Sequence, residues 1–192
     1  YIETLGGAVT GVRLSTGETV AARAVIICSG TYLSSRCITG EQEQFTGPQG
    51  LKAATLLSSG LRDLGFSLRR FKTGTPARVD ARSLDFDRMQ PQLGDEPVTP
   101  FSFLTEKRLE NRAQCYLTWT NERTHDLIRQ NLHRSPMFSG AIVGTGARYC
   151  PSIEDKVHRF ADKDRHQVFL EPEGLESPEW YIQGMSSSLP AD

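Results

Sequence analysis

The sequence feature that most constrains the fold is a short apolar run followed by a glycine-rich turn and a charged helical pattern, in residues 141–160. Residues 141–143, Ala-Ile-Val, are typical of the end of a buried strand. Gly144 and Gly146 then allow backbone amides to approach an anion or a flat ring. A Gly-x-Gly pair without a third glycine is also typical of ordinary turns, so the pattern leaves a ligand site and a plain turn open.

A helix is predicted from about Pro151, because proline suits a first helical turn and because Ser152 and Asp155 have the spacing of a capping box. The helical period predicts a buried stripe of Ile153, Val157 and Phe160. The charged positions of this helix are expected in water or facing a ligand: Glu154, Asp155, Lys156 and Arg159.

Cys150 is predicted at the N-terminal end of this helix, next to Arg148 and one turn from Lys156. The helix dipole and the neighbouring cations favour a thiolate, so we expect a lowered pKa and a reactive cysteine. The alternative is a small buried hydrophobic side chain, which is the commoner role of a single cysteine.

Composition narrows the class of protein. A length of 192 residues fits one large domain or two small ones, and a formal charge of -1 excludes a global basic field for nucleic acid while leaving local patches possible. No CxxC motif and no His/Cys pair at zinc spacing occurs among the cysteines, which predicts no metal site. The four cysteines are Cys28, Cys37, Cys115 and Cys150. Free thiols, no signal peptide and no long apolar segment predict a cytoplasmic protein outside membranes.

The first thirty residues predict a hairpin and a buried strand. Residues 8–24 alternate around a Ser-Thr-Gly-Glu turn, which is typical of a β-hairpin. Residues 24–28, Ala-Val-Ile-Ile-Cys, are apolar on both faces and predict a strand in the middle of a sheet, ending at Ser29, Gly30 and Thr31. Ligands of open α/β sheets lie at such carboxyl ends, so Gly30 is a candidate for close approach to a cofactor, with an ordinary turn as the alternative.

The next elements are predicted from turn residues and periodicity. Residues 40–50 are expected to form a mobile loop, residues 51–64 a helix, residues 66–71 a strand and residues 80–100 an irregular surface segment. Residues 72–78, Lys-Thr-Gly-Thr-Pro-Ala-Arg, combine two hydroxyls, a glycine and the cations Lys72 and Arg78. This composition suits phosphate contacts and equally suits a solvated loop.

The second half of the chain predicts two strand regions around helices. Residues 115–120 predict a strand, capped by Asn121 or Thr120, and residues 122–132 a helix. That helix is expected to turn Leu127, Ile128 and Leu132 inward and to carry His125 and His133 at its surface. Further strands are predicted at residues 166–170 and 180–182.

Five segments of the chain carry the motifs of one known family. They are VIICSGTYL (25–33), RRFKTGTPARVDARSLDF (69–86), YLTWTNERTHDLIRQNLHRSPMFSG (116–140), GARYCPSIEDKVHRFADKDRHQVFLEPEG (146–174) and MSSSLP (185–190). Together they resemble the MnmG family, also called GidA. KTGTPxRxD and RYCPSIEDK in this order are far more specific than a glycine-rich turn, and the likeness covers nearly the whole chain.

The resemblance implies a middle portion of a longer flavoprotein with a mixed α/β fold. Residues 1–71 would belong to the β-meander and linking helix of a Rossmann-like FAD-binding domain, with Ser29, Gly30 and Thr31 near the flavin. Residues 72–192 would form an inserted mixed α/β domain that binds NAD(H) and is truncated at its C-terminal end. Its implied nucleotide contacts are Gly146, Ala147, Arg148, Tyr149, Pro151, Ser152, Ile153, Glu154 and Asp155.

The resemblance also implies an activity. With a GTPase partner, MnmE, the family adds a carboxymethylaminomethyl group to C5 of the wobble uridine of tRNA, using FAD, NADH and methylenetetrahydrofolate. Cys150 would act as an acid or a nucleophile, and Lys156 would neutralise a phosphate or tune that thiol. Lys72 and Arg78 would contact the phosphates of NADH or tRNA. A cytoplasmic homodimer is implied for the full-length protein.

Two alternatives to catalysis by a flavoprotein remain at this point. The first is a non-catalytic module that binds NADH or tRNA and supports chemistry elsewhere in the full-length protein, and this portion alone is expected to be inactive. The second is a self-contained thiol enzyme. The sequence disfavours it, because no histidine has the spacing of an evident base for Cys150, although histidines that are neighbours only in space stay possible.

Overall fold

The structure, a computed structural model, describes residues 1–146 and 151–192. The described residues form three α-helices, α1 Thr55–Asp63, α2 Glu122–Asn131 and α3 Ile153–Arg159, besides short 3-10 turns. They also form twelve strands: β1 Ile2–Leu5, β2 Ala8–Arg13, β3 Thr19–Ala21, β4 Cys37–Thr39, β5 Gln42–Gln44, β6 Phe71–Lys72, β7 Arg78–Asp80, β8 Gln90–Gln92, β9 Cys115–Trp119, β10 Thr145–Gly146, β11 Gln167–Pro172 and β12 Glu179–Gln183. The predicted mixed α/β class is confirmed.

The N-terminal strands β1, β2 and β3 form an antiparallel meander, so the predicted hairpin is confirmed. The prediction of a buried strand at residues 24–28 is wrong. These residues form no strand, Ile26 is 88% exposed, and Ile27 and Cys28 are exposed as well. An apolar run becomes a central strand only when strands on both sides pair with it, and no strand of the described part of the chain does so.

The segment predicted as a mobile loop, residues 40–50, is partly regular, and that prediction is wrong for its first half. Strands β4 and β5 form a short antiparallel hairpin. Its Gly40 turn is fixed from outside, because the backbone N–H of Gly40 donates to the carbonyl of Ser188 at 2.8 Å. The helix predicted at residues 51–64 is confirmed as α1, which starts later, at Thr55.

A five-stranded antiparallel sheet with the order β7-β12-β11-β9-β8 is the largest sheet of the described residues. It confirms the strands predicted near residues 115, 166 and 180. Edge strand β8 lies inside residues 80–100, which were predicted to be irregular, and the prediction is wrong there. The rings of Phe86, Tyr116 and Trp180 pack together with centroids 4.5–5.8 Å apart. This cluster ties the segment before β8 to the sheet.

Helices α2 and α3 contact each other and share a small core. Its buried members are Ile128, Ile153 and Val157, with Leu132, Met185 and Leu189 packed around them. Two predicted core residues are exposed instead. Leu127 lies beside the stripe that faces α3, and Phe160 is 51% exposed because α3 ends at Arg159, before the position that would complete its apolar stripe. The prediction is wrong for both residues.

Two short strands predicted before the site also differ from the structure. Residues 66–70 form no strand, and only Phe71 and Lys72 do so, as β6. Residues 141–143 form no strand either, and Val143 is exposed. The extended backbone begins two residues later, at Thr145. Both predictions are wrong, because the pairing between these segments involves two residues on each side. Among residues 1–146 and 151–192, no helix is long and apolar enough to cross a membrane.

Candidate functional site

The glycine-rich turn lies directly beside the Lys-Thr-Gly segment. Strands β6 and β10 form a two-stranded parallel ribbon in which Gly146 pairs with Lys72 and Thr145 with Phe71. The backbone N–H of Thr145 also donates to the carbonyl of Arg70 at 3.1 Å. Two motifs that are far apart in the sequence therefore meet in one ribbon.

Gly144 fits only as glycine at the start of this ribbon. Its φ is +152°, and a Cβ there would lie 3.0 Å from the carbonyl oxygen and 3.1 Å from Cγ of Arg70. A side chain at this position would push the two strands apart. At Gly146 a Cβ would lie 2.9 Å from Cε of Lys72, so the lysine stem fills the space beside this glycine.

Lys72 connects the ribbon to helix α3. Its Nζ lies 3.9 Å from Oδ2 of Asp155 and 3.2 Å from Sδ of Met137, and most of both the Lys72 and Asp155 side chains is buried. Asp155 also lies 3.6 Å from Nε of Arg159, one turn along the helix. The predicted residues Lys72, Gly146 and Asp155 thus come together in one place. An ammonium that is partly withdrawn from water beside exposed backbone is suited to a phosphate.

The start of α3 follows the predicted capping pattern. The hydroxyl of Ser152 accepts a hydrogen bond from the backbone N–H of Asp155 at 3.2 Å, which confirms Ser152 as the N-cap. The helix begins at Ile153, so Pro151 precedes it and is exposed. Ser152 and Ile153 are both buried. The first turn is therefore held by the protein interior rather than by solvent.

Glu154 is the clearest departure from the predicted site. It was expected in water or facing a ligand, and it is 0% exposed. Its Oε1 accepts hydrogen bonds from the hydroxyl of Ser187 at 3.1 Å, from the backbone N–H of Ser188 at 2.8 Å and from the hydroxyl of Ser188 at 3.2 Å. The prediction for Glu154 is wrong, because a segment distant in sequence supplies the donors that a buried carboxylate needs.

We call this segment, residues 184–190, the serine strap. The carbonyl of Ser186 accepts a hydrogen bond from the backbone N–H of Ile153 at 2.8 Å, and the hydroxyls of Ser135 and Ser188 are 2.9 Å apart. A Cβ on Gly74 would lie 3.0 Å from Cβ of Ser186. The strap therefore packs against α3 on one side and against the Lys-Thr-Gly segment on the other.

Lys156, predicted as a catalytic residue, contacts the same strap. Its Nζ donates to the carbonyl of Gly184 at 3.0 Å, and the side chain is partly buried. The expectation of a lysine in water or facing a ligand is wrong to this extent. The strap thus contacts α3 from two sides, through Glu154 and Lys156, while Asp155 between them lies near Lys72.

Arg78, the other predicted phosphate contact, is engaged elsewhere in the protein. Its guanidinium donates to Oε1 of Glu173 at 3.0 Å and to the hydroxyl of Thr75 at 2.7 Å, and it lies 4.7 Å from the centre of the Tyr181 ring. These contacts join the Lys-Thr-Gly segment to strand β12. Such an arrangement favours a structural role for Arg78.

The turn at Ser29, Gly30 and Thr31 is mostly exposed. Gly30 has a φ of +49°, and the backbone N–H of Tyr32 closes the turn on the carbonyl of Ser29 at 3.0 Å. The residues that follow the turn are connected to the glycine-rich ribbon through Arg70. The guanidinium of Arg70 donates to the carbonyl of Ser34 at 3.0 Å, and its own carbonyl accepts from Thr145.

The predictions for Ala147, Arg148, Tyr149 and Cys150 concern residues that lie outside the described part of the chain. They stay predictions. The residues on both sides of this segment, Gly146 and Pro151, are described and belong to the ribbon and to the approach to α3. Within residues 1–146 and 151–192, no group of three or more His, Cys, Asp or Glu side chains is arranged to hold a metal ion.

A pair of histidines, His125 buried and His166 half-buried, was not predicted. His125, expected at the surface, is 2% exposed, and its Nε2 lies 2.7 Å from the hydroxyl of Thr120. The rings of His125 and His166 have centroids 5.2 Å apart. Burial lowers the pKa of both histidines, with a further lowering by Arg129 for His125 and by His125 and Lys156 for His166. The prediction is wrong because His125 shares the stripe of Ile128 that faces α3.

Comparison with known proteins settles the family. Residues 2–192 match the family model described as glucose inhibited division protein A. The chain belongs to the glucose inhibited division protein A, or GidA, family. The GidA resemblance drawn from the KTGTP and SIEDK motifs is confirmed.

Named relatives of this GidA chain are tRNA uridine 5-carboxymethylaminomethyl modification enzymes MnmG. The protein from Lachnoclostridium phytofermentans is 58% identical over 186 residues, which are 96% of this chain and 30% of that protein. The protein from Caldicellulosiruptor saccharolyticus is also 58% identical over 186 residues, which are 97% of this chain and 30% of that protein. The chain thus spans about 30% of the length of these relatives.

A solved structure supports the same assignment. GidA from Aquifex aeolicus, in its form I crystal, matches this chain with a TM-score of 0.87 and 43% sequence identity. The match covers 98% of this chain and 33% of that one. The arrangement of sheets and helices described above is therefore a GidA arrangement over nearly all of the chain.

Proposed function

We propose that this chain contributes the NADH-binding segment of an enzyme that modifies the wobble uridine of tRNA. In this proposal the full-length protein depends on FAD and NADH, works with an MnmE-type GTPase and adds a carboxymethylaminomethyl group to C5 of the uridine. The named relatives, tRNA uridine 5-carboxymethylaminomethyl modification enzymes, support the reaction class. Methylenetetrahydrofolate as the one-carbon donor, a cytoplasmic location and a homodimer belong to the same proposal.

One observation carries the assignment of NADH to this segment. The KTGTP and SIEDK motifs converge, with Gly146 paired to Lys72 in the ribbon and Lys72 3.9 Å from Asp155. This arrangement suits a dinucleotide. Its phosphates bind cations and the backbone amides of glycine turns, and its ribose hydroxyls donate hydrogen bonds to a carboxylate. We therefore assign Lys72 and residues 144–156, apart from the buried Glu154, to the nucleotide.

The residues present fit NADH on structural grounds. Gly144 and Gly146 leave the backbone accessible, and a side chain at either position would collide with Arg70 or Lys72. In the proposed site Lys72 holds a phosphate, and Asp155 orients the ammonium of Lys72. NADH would supply hydride-transfer chemistry when bound, with FAD as the proposed acceptor. The remaining residues of the segment, including Ser152 and Ile153, set the backbone path.

The fit to FAD is more limited. Ser29, Gly30 and Thr31 offer a hydroxyl, a turn and exposed backbone, and these are suited to one side of a flat ring. Their exposure means that other parts of the full-length protein would have to close a flavin site. We keep these three residues as proposed flavin contacts and assign them no chemical step.

Cys150 is the proposed chemical group of this chain. A thiol in this position can donate a proton or attack the uracil ring or an intermediate, and both roles stay open. The proposed division of labour is that Lys72 and the glycine turn bind, while Cys150 reacts. An anticodon loop presents its bases in single-stranded form, which suits access to such a group.

A non-catalytic module that binds NADH or tRNA is the second candidate. One observation favours it: the ammonium of Lys156 is bonded to the carbonyl of Gly184, so this lysine has a structural contact of its own. In the second candidate the chemistry belongs entirely to other parts of the full-length protein.

The replacement of Cys150 by Ala in the full-length protein separates the two candidates. The proposed function predicts that NADH binding, followed by nicotinamide fluorescence, is retained, while modification of wobble uridine, followed by mass spectrometry of tRNA nucleosides, is lost. The replacement of Cys115, which lies in strand β9, by Ala is the control and leaves both readouts intact. Normal modification by the Cys150→Ala variant would support the binding module and contradict the catalytic role.

A further inference from the structure

The serine strap joins the two motifs of the proposed site, and its main anchor is Glu154. Three donors from Ser187 and Ser188 converge on Oε1 of Glu154 at 2.8–3.2 Å. The strap continues to Ser186, which receives the backbone N–H of Ile153 and packs against Gly74. A single buried carboxylate thus connects α3 to the segment that contains Lys72.

A purely structural role explains only one of the two carboxylate oxygens of Glu154. Its Oε2 is buried and accepts no hydrogen bond from any described residue. A buried acceptor without a donor loses its hydrogen bonds to water and destabilises the fold. Unfavourable local features of this kind, such as a buried acceptor without a donor, concentrate at functional sites, where the surrounding structure offsets their cost.

The position of Glu154 in the first turn explains what it controls. Successive residues of an α-helix point about 100° apart, so the direction of one side chain fixes the directions of the next two. Glu154 is held by Ser188, Asp155 then faces Lys72, and Lys156 reaches Gly184. Rotation of α3 about its axis would break all three contacts. It would also displace Pro151, which directly precedes the N-cap of the helix.

We propose that Glu154 is a positioning residue, which acts through the serine strap to hold the first turn of α3 so that Asp155 faces Lys72 in the proposed nucleotide site. It holds the first turn and touches no ligand. This inference rests on the proposed function, because it takes residues 144–156 as the NADH site. It adds a role for the strap, whose serines are otherwise unexplained by that function.

The test compares Glu154→Gln and Ser188→Ala in the full-length protein, with the Ser58→Ala variant as matched control. Ser58 is also a buried serine, and its hydroxyl lies 2.6 Å from that of Ser34, away from the strap. The readouts are the dissociation constant of NADH, measured by nicotinamide fluorescence without tRNA or folate, and hydrogen exchange of the Ile153 amide. The melting temperature reports stability separately.

The proposal predicts that Glu154→Gln weakens NADH binding by about tenfold or more, because small displacements of binding groups have large effects. It also predicts faster exchange of the Ile153 amide, whose partner is Ser186. The double variant of Glu154→Gln and Ser188→Ala loses about as much NADH affinity as the stronger single variant, because both substitutions act on one hydrogen-bond network. Ser58→Ala leaves NADH affinity within about twofold even where its melting temperature falls.

A milder variant covers the case in which Glu154→Gln does not fold. Ser187→Ala removes one hydroxyl donor at 3.1 Å and leaves the bonds from Ser188. A smaller loss of NADH affinity in this variant supports the proposal. Unchanged affinity in the strap variants, with normal binding by the wild type, overturns the inference alone. The absence of saturable NADH binding by the wild type overturns the proposed function and the inference together.

Discussion

The ammonium of Lys72 lies 3.9 Å from the carboxylate of Asp155, and this pair joins two motifs that are distant in sequence. The parallel pairing of Lys72 with Gly146 brings the ribbon to the same place. Because most of both side chains is buried, their attraction is less screened than that of a surface pair. In the proposed function, Lys72 is the pre-positioned cation that binds a nucleotide phosphate.

The first prediction concerns this cation. Replacing Lys72 by Met keeps most of the stem and removes the charge. We expect NADH affinity to fall by roughly 10- to 100-fold, which corresponds to a loss of about 1.5–3 kcal/mol for a charge-assisted hydrogen bond. Titration with nicotinamide fluorescence measures the change. Lys107, which is exposed, provides the control, and Lys107→Met leaves the affinity unchanged. Equal losses in both variants would rule out a specific phosphate contact at Lys72.

The second prediction concerns the backbone at Gly144. Both Gly144 and Gly140 have positive φ, but a Cβ on Gly140 meets nothing within 4 Å, whereas on Gly144 it meets Arg70. Gly140→Ala thus reports backbone strain alone, and Gly144→Ala adds a steric collision. We expect Gly144→Ala to weaken NADH binding more than Gly140→Ala and to lower stability by about 1–3 kcal/mol. Denaturant unfolding measures the stability, and identical behaviour of the two variants would contradict the close approach.

The third prediction concerns pH. The pKa of His125 and that of His166 lie below their ordinary value of 6.5, so the folded pair takes up protons at lower pH than the unfolded chain does. The pair's contribution to stability is present above pH 6.5. It is lost as the pH falls from 6.5 toward the lower pKa values of the folded state. Exchange of the Thr120 amide, bonded to the carbonyl of His166 at 3.0 Å, measures the local stability once intrinsic exchange rates are removed.

A variant pair makes the pH prediction specific. His166→Gln is expected to flatten the pH dependence of Thr120 exchange, because one of the two titrating rings is gone. His133 is exposed, and His133→Gln is expected to leave the dependence intact. Local stability that stays constant or rises as the pH falls from 8 to 5 would show that the buried histidines are not held neutral.

The fourth prediction concerns residues 24–28, most of which are exposed although their sequence is apolar. The chain spans about 30% of the length of its relatives, and we infer that other parts of the full-length protein cover this run. Exchange of the amides of Val25 and Ile27 is therefore expected to be at least about tenfold slower in the full-length protein than in the isolated chain. Equally fast exchange in both would mean that no other part of the full-length protein covers this run.

Local patterns in the sequence are sufficient to predict elements that are stabilised by nearby residues. The cap at Asn121 accepts from the Thr124 amide at 3.0 Å, and the cap at Ser152 is formed as its spacing predicts. The hairpin of β2 and β3 depends on its own turn in the same way. These features need no information about distant segments, so periodicity and turn chemistry identify them.

Features that depend on distant partners could not be predicted. Glu154 carries a charge at a helical position that suits water, yet the strap provides three donors for its carboxylate. His125 shares the stripe of Ile128 on α2, and its ring also packs against that of His166, a partner distant in sequence. The failure at Ile26 has the opposite cause, since its apolar neighbours predict a partner strand that the described residues do not contain.

The site itself was predictable only in part. Gly146, Ser152 and Asp155 were identified from one short motif, and Lys72 from another, but their convergence follows from the two-residue pairing of β6 with β10. Such a short parallel contact has no signature in either segment. Arg78 carries the same charge as Lys72 and is bonded to Glu173, so residue type alone could not separate the two cations.

The most direct test of the central claim is a hydrogen-exchange footprint of NADH on the full-length protein. We expect saturable binding with slower exchange confined mainly to residues 70–74 and 144–156, and loss of this protection in the Lys72→Met variant. The same footprint reports on residues 147–150 without any assumption about their conformation. Saturable NADH binding that protects other parts of the protein, with unchanged exchange in both segments, would contradict the assignment of the nucleotide to this ribbon and helix.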